Sequence, residues 1–180
     1  TRDGAMGYND REAKLQDFAQ GDQLNLCRST YEDYSGADWE RTIFWRVGDH
    51  FAVLDRAIAE EPGHYVVRCS FRGVGEHQLD GERMRLQQGD RYCHFVSDGL
   101  SETAVDLFDQ PSADHWNSFY EHAEPVAKIF QQDKSAMLEA GQSLSFANAF
   151  AASADESDVD SLAVAPISES GMLVEHGGDA

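Results

Sequence analysis

Short apolar runs, each ended by a turn residue, fill the segment from residue 34 to residue 98. Gly48-Asp49 separates two such runs, residues 42–47 and 51–58, and this is the arrangement of an antiparallel hairpin. Further on, residues 64–72 alternate apolar and polar side chains, as a strand buried on one face does. A segment interrupted this often predicts a series of antiparallel strands and not helices.

The remaining chain continues the pattern. Further strands are predicted at residues 13–19, 23–31, 76–79, 83–87, 91–96, 103–108, 126–132, 143–150, 161–167 and 171–175. Residues 13–19 could also form a short helix, because they include good helix formers. Residues 112–124 and 135–141 are predicted to be loops. About a dozen short strands at this spacing predict an all-β fold, an antiparallel β-sandwich with little helix, as a single domain over residues 1–180.

The net charge is the outlying property of the composition. The chain carries 33 Asp and Glu against 14 Lys and Arg, a net charge of −19. Such a field repels nucleic acid and anionic membrane surfaces, so neither is expected as a partner. The charge is open to two interpretations: adaptation to a saline environment, or a site for cations or basic partners. The even spread of the acids along the chain favours the first.

The cysteines and the termini say little about the compartment. Cys27, Cys69 and Cys93 have no metal-ligand spacing and cannot all be paired, and the last two are expected to fill core positions. No signal peptide and no apolar run of the ~20 residues that cross a bilayer is visible. The chain begins at Thr1 and not at Met, so we expect it to be a portion of a longer protein.

Motifs for catalysis or cofactors are not found in the sequence. The histidines at positions 50, 64, 77 and 94 show neither HxH nor HExxH spacing, so no metal is expected. The acidic run at residues 155–160 lacks the central Gly of a calcium loop. Ser112, Asp114 and His115 lie outside any GxSxG elbow. We therefore assign no catalytic residue and no cofactor.

Aromatic and cationic side chains form the candidate binding set. Flat rings stack on sugar faces, and Arg holds carboxylates, so an acidic sugar is the ligand that such a set predicts. The set consists of Trp39, Trp45, Arg68, Arg72, His77, Arg83 and Arg85. Trp39 and Trp45 share a face if one strand carries both. The alternative is that the aromatic residues belong to the core and the cations to a solvated face.

Several segments together carry a family resemblance. They are Tyr34, Gly36, Asp38, Trp39 and Arg41, then residues 53–56, 62–65, 71–81 and 138–153. In these segments, the chain resembles the C-terminal β-sandwich region of heparinase II/III-like polysaccharide lyases and their alginate lyase relatives. The resemblance implies a protein that cleaves uronic-acid glycans by β-elimination. It also implies an extracellular or periplasmic location.

The resemblance assigns no catalytic residue here. In such lyases the catalytic Tyr, Asn and Arg lie in an N-terminal α/α toroid, and the metal-binding His and Asp precede the resembling stretch. We therefore expect a non-catalytic sandwich that braces an upstream catalytic domain and lines the cleft for an acidic polysaccharide. A large apolar patch would mark the docking edge. The alternatives are a free-standing carbohydrate-binding module, with exposed coplanar aromatic rings, and a structural adhesin-type sandwich of a salt-adapted protein.

Overall fold

The computed structural model describes residues 1–5, 12–80, 83–97, 104–111, 126–154, 162–168 and 171–177. These residues form thirteen strands and no helix. The strands are β1 (Lys14–Gln20), β2 (Leu24–Tyr31), β3 (Ala37–Arg46), β4 (His50–Ala59), β5 (Gly63–Val74), β6 (Glu76–Asp80), β7 (Arg83–Gln88), β8 (Arg91–Ser97), β9 (Ala104–Pro111), β10 (Val126–Leu138), β11 (Ser143–Ser153), β12 (Leu162–Ser168) and β13 (Gly171–His176). The predicted all-β class is confirmed, and β1 is a strand and not a helix.

Three antiparallel sheets make up the described fold. The large sheet has eight strands in the order β1-β2-β3-β4-β11-β8-β7-β6. The small sheet has the order β5-β10-β9, and β12 and β13 form a separate hairpin. Residues 50–58 in β4 pair with residues 143–151 in β11, so the centre of the large sheet joins distant parts of the chain. The predicted Gly48-Asp49 hairpin is confirmed by the pairing of β3 with β4.

One glycine marks the passage from the small sheet back to the large one. Gly75 lies between β5 and β6 with a φ of 121°, in a region that side chains disfavour. A Cβ added there would lie 2.0 Å from the backbone oxygen of Gln87 in β7. The close approach of the two backbones therefore requires a residue without a side chain.

The core lies between the large and the small sheet. Tyr65 and Cys69 of β5 pack with Phe146 of β11, and further along Phe130 of β10 packs with Phe95 and its neighbours. On the opposite face of the large sheet, the β12–β13 hairpin lies over β4, β8 and β11, and its Leu162 is completely buried. Both faces of β11 are packed: Phe146 and Phe150 face the small sheet, whereas Ala149 and Ala151 face the β12–β13 hairpin. The predicted sandwich is thus confirmed.

The predicted loop at residues 135–141 is wrong in its first half. β10 continues to Leu138, and the turn is confined to the residues between Leu138 and Ser143. Ala136 packs against the core and Leu138 is buried in it, whereas Met137 between them is 72% exposed. This is the alternation of a half-buried strand, and it outweighs the polar neighbours. The predictions for residues 112–124 and 155–160 lie outside the described residues.

No helix of the described residues is long and apolar enough to cross a membrane.

Candidate functional site

An open groove of about 430 Å³ lies between β3 of the large sheet and the free edge of β5. Its lining combines aromatic rings, hydroxyl groups and one cation. Among the lining residues are Tyr34, Ser35, Trp39, Tyr65, Arg68 and Ser70. A ring beside an Arg in a concave site is a combination that suits a sugar carboxylate. We therefore take this groove as the candidate functional site.

A buried carboxylate fixes the floor of the groove. Trp39 donates its indole N–H to Asp55 Oδ1 at 2.9 Å. Arg41 donates from Nε to Oδ1 at 2.7 Å and from Nη2 to Oδ2 at 2.9 Å. The Cys69 thiol donates to Oδ2 at 3.3 Å. Four donor contacts thus satisfy a carboxylate that is 0% exposed, and they hold the Trp39 ring in one orientation.

This network shifts the ionisation of its partners. Burial lowers the pKa of the Arg41 guanidinium, but the hydrogen bonds and charge of Asp55 outweigh it, so the pKa lies above its ordinary value. Burial, followed by the charge of Asp55, raises the pKa of the Cys69 thiol far above its usual range. Cys69 is thus a protonated core residue and not a nucleophile, in agreement with its expected packing role.

The wall of the groove carries a cation that already has a partner. Arg68 points away from the core and forms a bidentate ion pair with Asp133 of β10, at 2.7 and 2.6 Å. Both members are partly exposed, so the pair is exchangeable with solvent and with a ligand. A sugar carboxylate would have to compete with Asp133 for the same guanidinium fork.

The structure divides the predicted binding residues between the two faces of the sandwich. Arg68 and Arg72 lie on the outer face of the small sheet, since the alternate residues of β5 fill the core. Arg83 and Arg85 lie on the outer face of the large sheet, because they pair with Val96 and His94 on the side of the β12–β13 hairpin. A single sugar cannot contact both pairs.

The remaining predicted residues lie apart from the groove or at its floor. Arg85 donates to Gln78 and lies over the Tyr92 ring, 5.6 Å from its centroid. His77 is paired with Leu86 on the inner face of the large sheet. Trp39 and Trp45 do share one strand and one face, but six residues of strand separate them by about 20 Å. Only Trp39 and Arg68 of the predicted set line the groove.

Tyr34 and Ser70 are groove residues that sequence reasoning did not select. Tyr34 is exposed and meets Tyr31 edge to face, with 5.6 Å between the ring centroids. Ser70 lies on the outward side of β5, between the two selected arginines. The alternation of β5 was the signal that could have identified Ser70, whereas Tyr34 lies in a turn whose position depends on the fold.

The inner face of the large sheet extends beyond the small sheet. Phe18, Cys27 and Ile43 are successive partners across β1, β2 and β3, so they share one face. Ile43 packs on the core between the sheets, but Phe18 on the outer strand is 64% exposed. We call this surface the overhang face. Its exposed apolar residues are Leu15, Phe18, Trp45 and Phe51.

Comparison with known proteins supports the fold resemblance. No family model matches the sequence, and no curated protein matches it. Among solved structures, heparinase III has a TM-score of 0.70 at 15% identity, over 92% of this chain and 26% of that one. The heparan sulfate lyase of Pedobacter heparinus has a TM-score of 0.61 at 17% identity, over 78% of this chain and 22% of that one.

A heparinase III gene product gives a TM-score of 0.63 at 9% identity, over 86% of this chain and 23% of that one. The described fold is therefore that of a β-domain in heparinase III-like lyases, as the sequence resemblance predicted. The resemblance to alginate lyases remains a prediction from the sequence. The chain spans only about a quarter of the length of these lyases.

Proposed function

We propose that this chain is the β-sandwich domain of a polysaccharide lyase that cleaves uronic-acid glycans by β-elimination, without catalytic activity of its own. The observation that carries the proposal is the fold likeness to heparinase III, which takes in 92% of this chain but 26% of the larger one. A domain that makes up about a quarter of such a lyase supports the catalytic domain and lines part of the cleft. The reacting groups then belong to that separate catalytic domain. Such a lyase works outside the cytoplasm, where its polymeric substrates are found.

The overhang face supports a bracing role. Exposed phenylalanine and tryptophan side chains on one sheet face form a surface that a partner domain covers with favourable burial of apolar area. We assign this face to the catalytic domain, because heparinase III, which shares the fold, is about three and a half times as long as this chain. The sandwich then braces that domain through the face of β1 and β2 that the small sheet leaves uncovered.

A monomeric chain with an accessible overhang face is the expected result for the isolated protein. It should bind a hydrophobic dye such as anilinonaphthalene sulfonate, and the double substitution Phe18→Ser, Trp45→Ser should abolish most of the dye fluorescence. Met137→Ser is the control, since Met137 is more exposed than Phe18 or Trp45 but lies on another strand. Sedimentation velocity distinguishes the occupants: a dimer that the double substitution converts to monomers would assign the face to a second copy and contradict the proposal.

The groove supplies the second part of the proposed role. Trp39 is held rigidly by Asp55, and Arg68 stands on the adjoining edge strand. A ring of fixed orientation next to a guanidinium can position a uronate, with stacking on one side and a charge-assisted hydrogen bond on the other. We propose that this groove contacts the acidic glycan at the rim of the lyase cleft.

Opposite effects on glycan affinity are expected from the two members of the Arg68–Asp133 pair. Arg68→Ala should weaken heparan sulfate or alginate binding about tenfold, the effect of one charge-assisted hydrogen bond. Asp133→Asn weakens the competition for the Arg68 guanidinium and removes a repelling carboxylate, so affinity should rise by up to about fivefold. Calorimetric titration with uronic-acid oligosaccharides and with a neutral glucan measures both changes.

Arg91→Ala serves as the control, because Arg91 is an exposed cation at the start of β8, away from the groove. Equal losses in Arg68→Ala and Arg91→Ala would show that only net charge matters and would contradict the groove. A separate lyase assay follows the absorbance of the unsaturated uronate product. Product formed by this chain alone would overturn its proposed non-catalytic role.

A carbohydrate-binding module is less well supported. Such a module presents coplanar exposed rings, whereas Trp39 and Trp45 are about 20 Å apart and the indole of Trp39 is tied to a buried carboxylate. Affinity of the isolated chain for a neutral glucan as strong as for uronic-acid glycans would favour the module.

A further inference from the structure

Two histidines and an aspartate converge where the β3–β4 turn meets the end of β13. Asp49 and His50 lie in and directly after that turn, and His176 is the last residue of β13. Their nearest ligand atoms, two imidazole nitrogens and a carboxylate oxygen, all lie within 4.8 Å of one another. Asp49 and His176 are 127 positions apart in the sequence, so the fold alone assembles this cluster.

The cluster is half-enclosed and incompletely bonded. The His50 side chain is 11% exposed, and its Nδ1 is buried with no hydrogen-bond partner among the described residues. That nitrogen lies 3.2 Å from Asp49 Oδ2, in a direction that does not make a hydrogen bond. Nδ1 of His176 contacts the other carboxylate oxygen. A buried ring nitrogen without a partner is costly unless something else binds it.

We propose that Asp49, His50 and His176 form a binding site for a divalent transition metal of the Zn²⁺ type. Bonds of 2.0–2.1 Å in a tetrahedral site place neighbouring ligand atoms about 3.3 Å apart, close to the separation of His50 Nδ1 and Asp49 Oδ2. Two imidazoles and one carboxylate suit Zn²⁺, whereas Ca²⁺ and Mg²⁺ select oxygen ligands. The part-exposed edge of the cluster leaves the fourth position to water.

The neighbouring charges permit this occupancy. Arg46 Nε lies 3.3 Å from Asp49 Oδ2, but the Arg46 side chain is largely exposed and can turn into solvent when a cation binds. An aspartate carboxylate is ionised at neutral pH, as a metal ligand must be.

A bound ion would clasp the β12–β13 hairpin to the large sheet. The hairpin otherwise rests on that sheet through Leu162 and nearby apolar residues. A metal that binds the folded state and not the unfolded chain adds stability in proportion to the logarithm of its concentration. This role is independent of any glycan and goes beyond the proposed function.

Titration of the chelator-stripped chain with Zn²⁺ tests the proposal by calorimetry and by the midpoint of thermal unfolding. We expect a tight site and a midpoint that rises with Zn²⁺ but not with Ca²⁺. Loss of an outer-shell partner alone costs about 10- to 100-fold in metal affinity, so His176→Ala and His50→Ala should each cost at least about 100-fold. His64→Ala is the control, since His64 is exposed and outside the cluster.

Two further measurements keep the test decisive. Asp49→Asn preserves the size of the turn residue, so this variant is expected to fold. It should nevertheless lose metal binding, which separates loss of the site from loss of the fold. Co²⁺ should give visible absorption bands in the wild-type chain and in His64→Ala, and none in His176→Ala. The proposal is overturned if the wild-type chain binds no Zn²⁺, if His176→Ala binds as tightly as His64→Ala, or if Ca²⁺ stabilises as well as Zn²⁺.

Discussion

Replacement of Asp55 by Ala is expected to lower the free energy of unfolding by about 2–4 kcal/mol, somewhat less than the cost of breaking a fully buried ion pair, because the Arg41 side chain is 36% exposed. Asp55 accepts from Trp39 and Arg41 and from the Cys69 thiol, and it is itself fully buried. Without it, the guanidinium of Arg41 and the indole N–H of Trp39 lose the buried acceptor that they share. Urea unfolding monitored by tryptophan fluorescence measures the change.

The exposed pair Arg68–Asp133 supplies the control for this prediction. Asp133→Ala removes a carboxylate from an equally short bidentate pair, but at the surface, and should cost less than about 1 kcal/mol. Asp55→Asn preserves shape and loses charge, so an intermediate loss is expected. Similar losses for Asp55→Ala and Asp133→Ala would show that the buried network has no special weight in stability.

Phe95→Ala is expected to destabilise the chain by about 3–5 kcal/mol, the usual cost of emptying a ring-sized volume in a packed core. Phe95 is 0% exposed, and its ring centroid lies 4.3 Å from that of Phe130 and 4.7 Å from that of Phe150. These contacts join β8 and β11 of the large sheet to β10 of the small sheet. The substitution therefore weakens the packing between the two sheets, and denaturant unfolding reports the loss.

Phe18→Ala is the matched control, because it removes the same atoms from the overhang face. Phe18 is exposed, so the change in unfolding free energy should stay within about 0.5 kcal/mol. A loss at Phe18 close to that at Phe95 would mean that the overhang face is covered within this chain. That outcome would also contradict the docking role proposed for it.

Local patterns predicted the strands well where the alternation was strong. Gly48-Asp49 marked a real hairpin, and the alternation after Pro62 marked β5 with its inward and outward sides. The loop prediction failed for residues 135–138 because Ser135 and the preceding Lys134 resemble loop residues, and only the burial of Leu138 shows that the strand continues. Local sequence does not reveal which sheet a strand joins.

The candidate sites depend on which sheet each strand joins, and local sequence does not reveal this. Arg72 and Arg83 are close in sequence, yet the passage of the chain from the small sheet to the large one places them on opposite faces. Conversely, the side chains of His176 and Asp49 are in contact although the two residues are 127 positions apart, and no local pattern predicts this contact. The sequence predicts a sugar-binding role for Trp39, but its hydrogen bond to Asp55 depends on the pairing of β3 with β4.

The central position of β11 has a consequence for biosynthesis. β4 is paired on one side with β3, and its other edge is filled by β11, which is translated some ninety positions later. A nascent chain that has emerged only as far as β8 therefore exposes an unsatisfied apolar strand edge, a template for association with other chains. Closure between such distant segments is also slow. We thus expect productive folding to wait until β11 leaves the ribosome, and chaperone dependence to be greatest before that point.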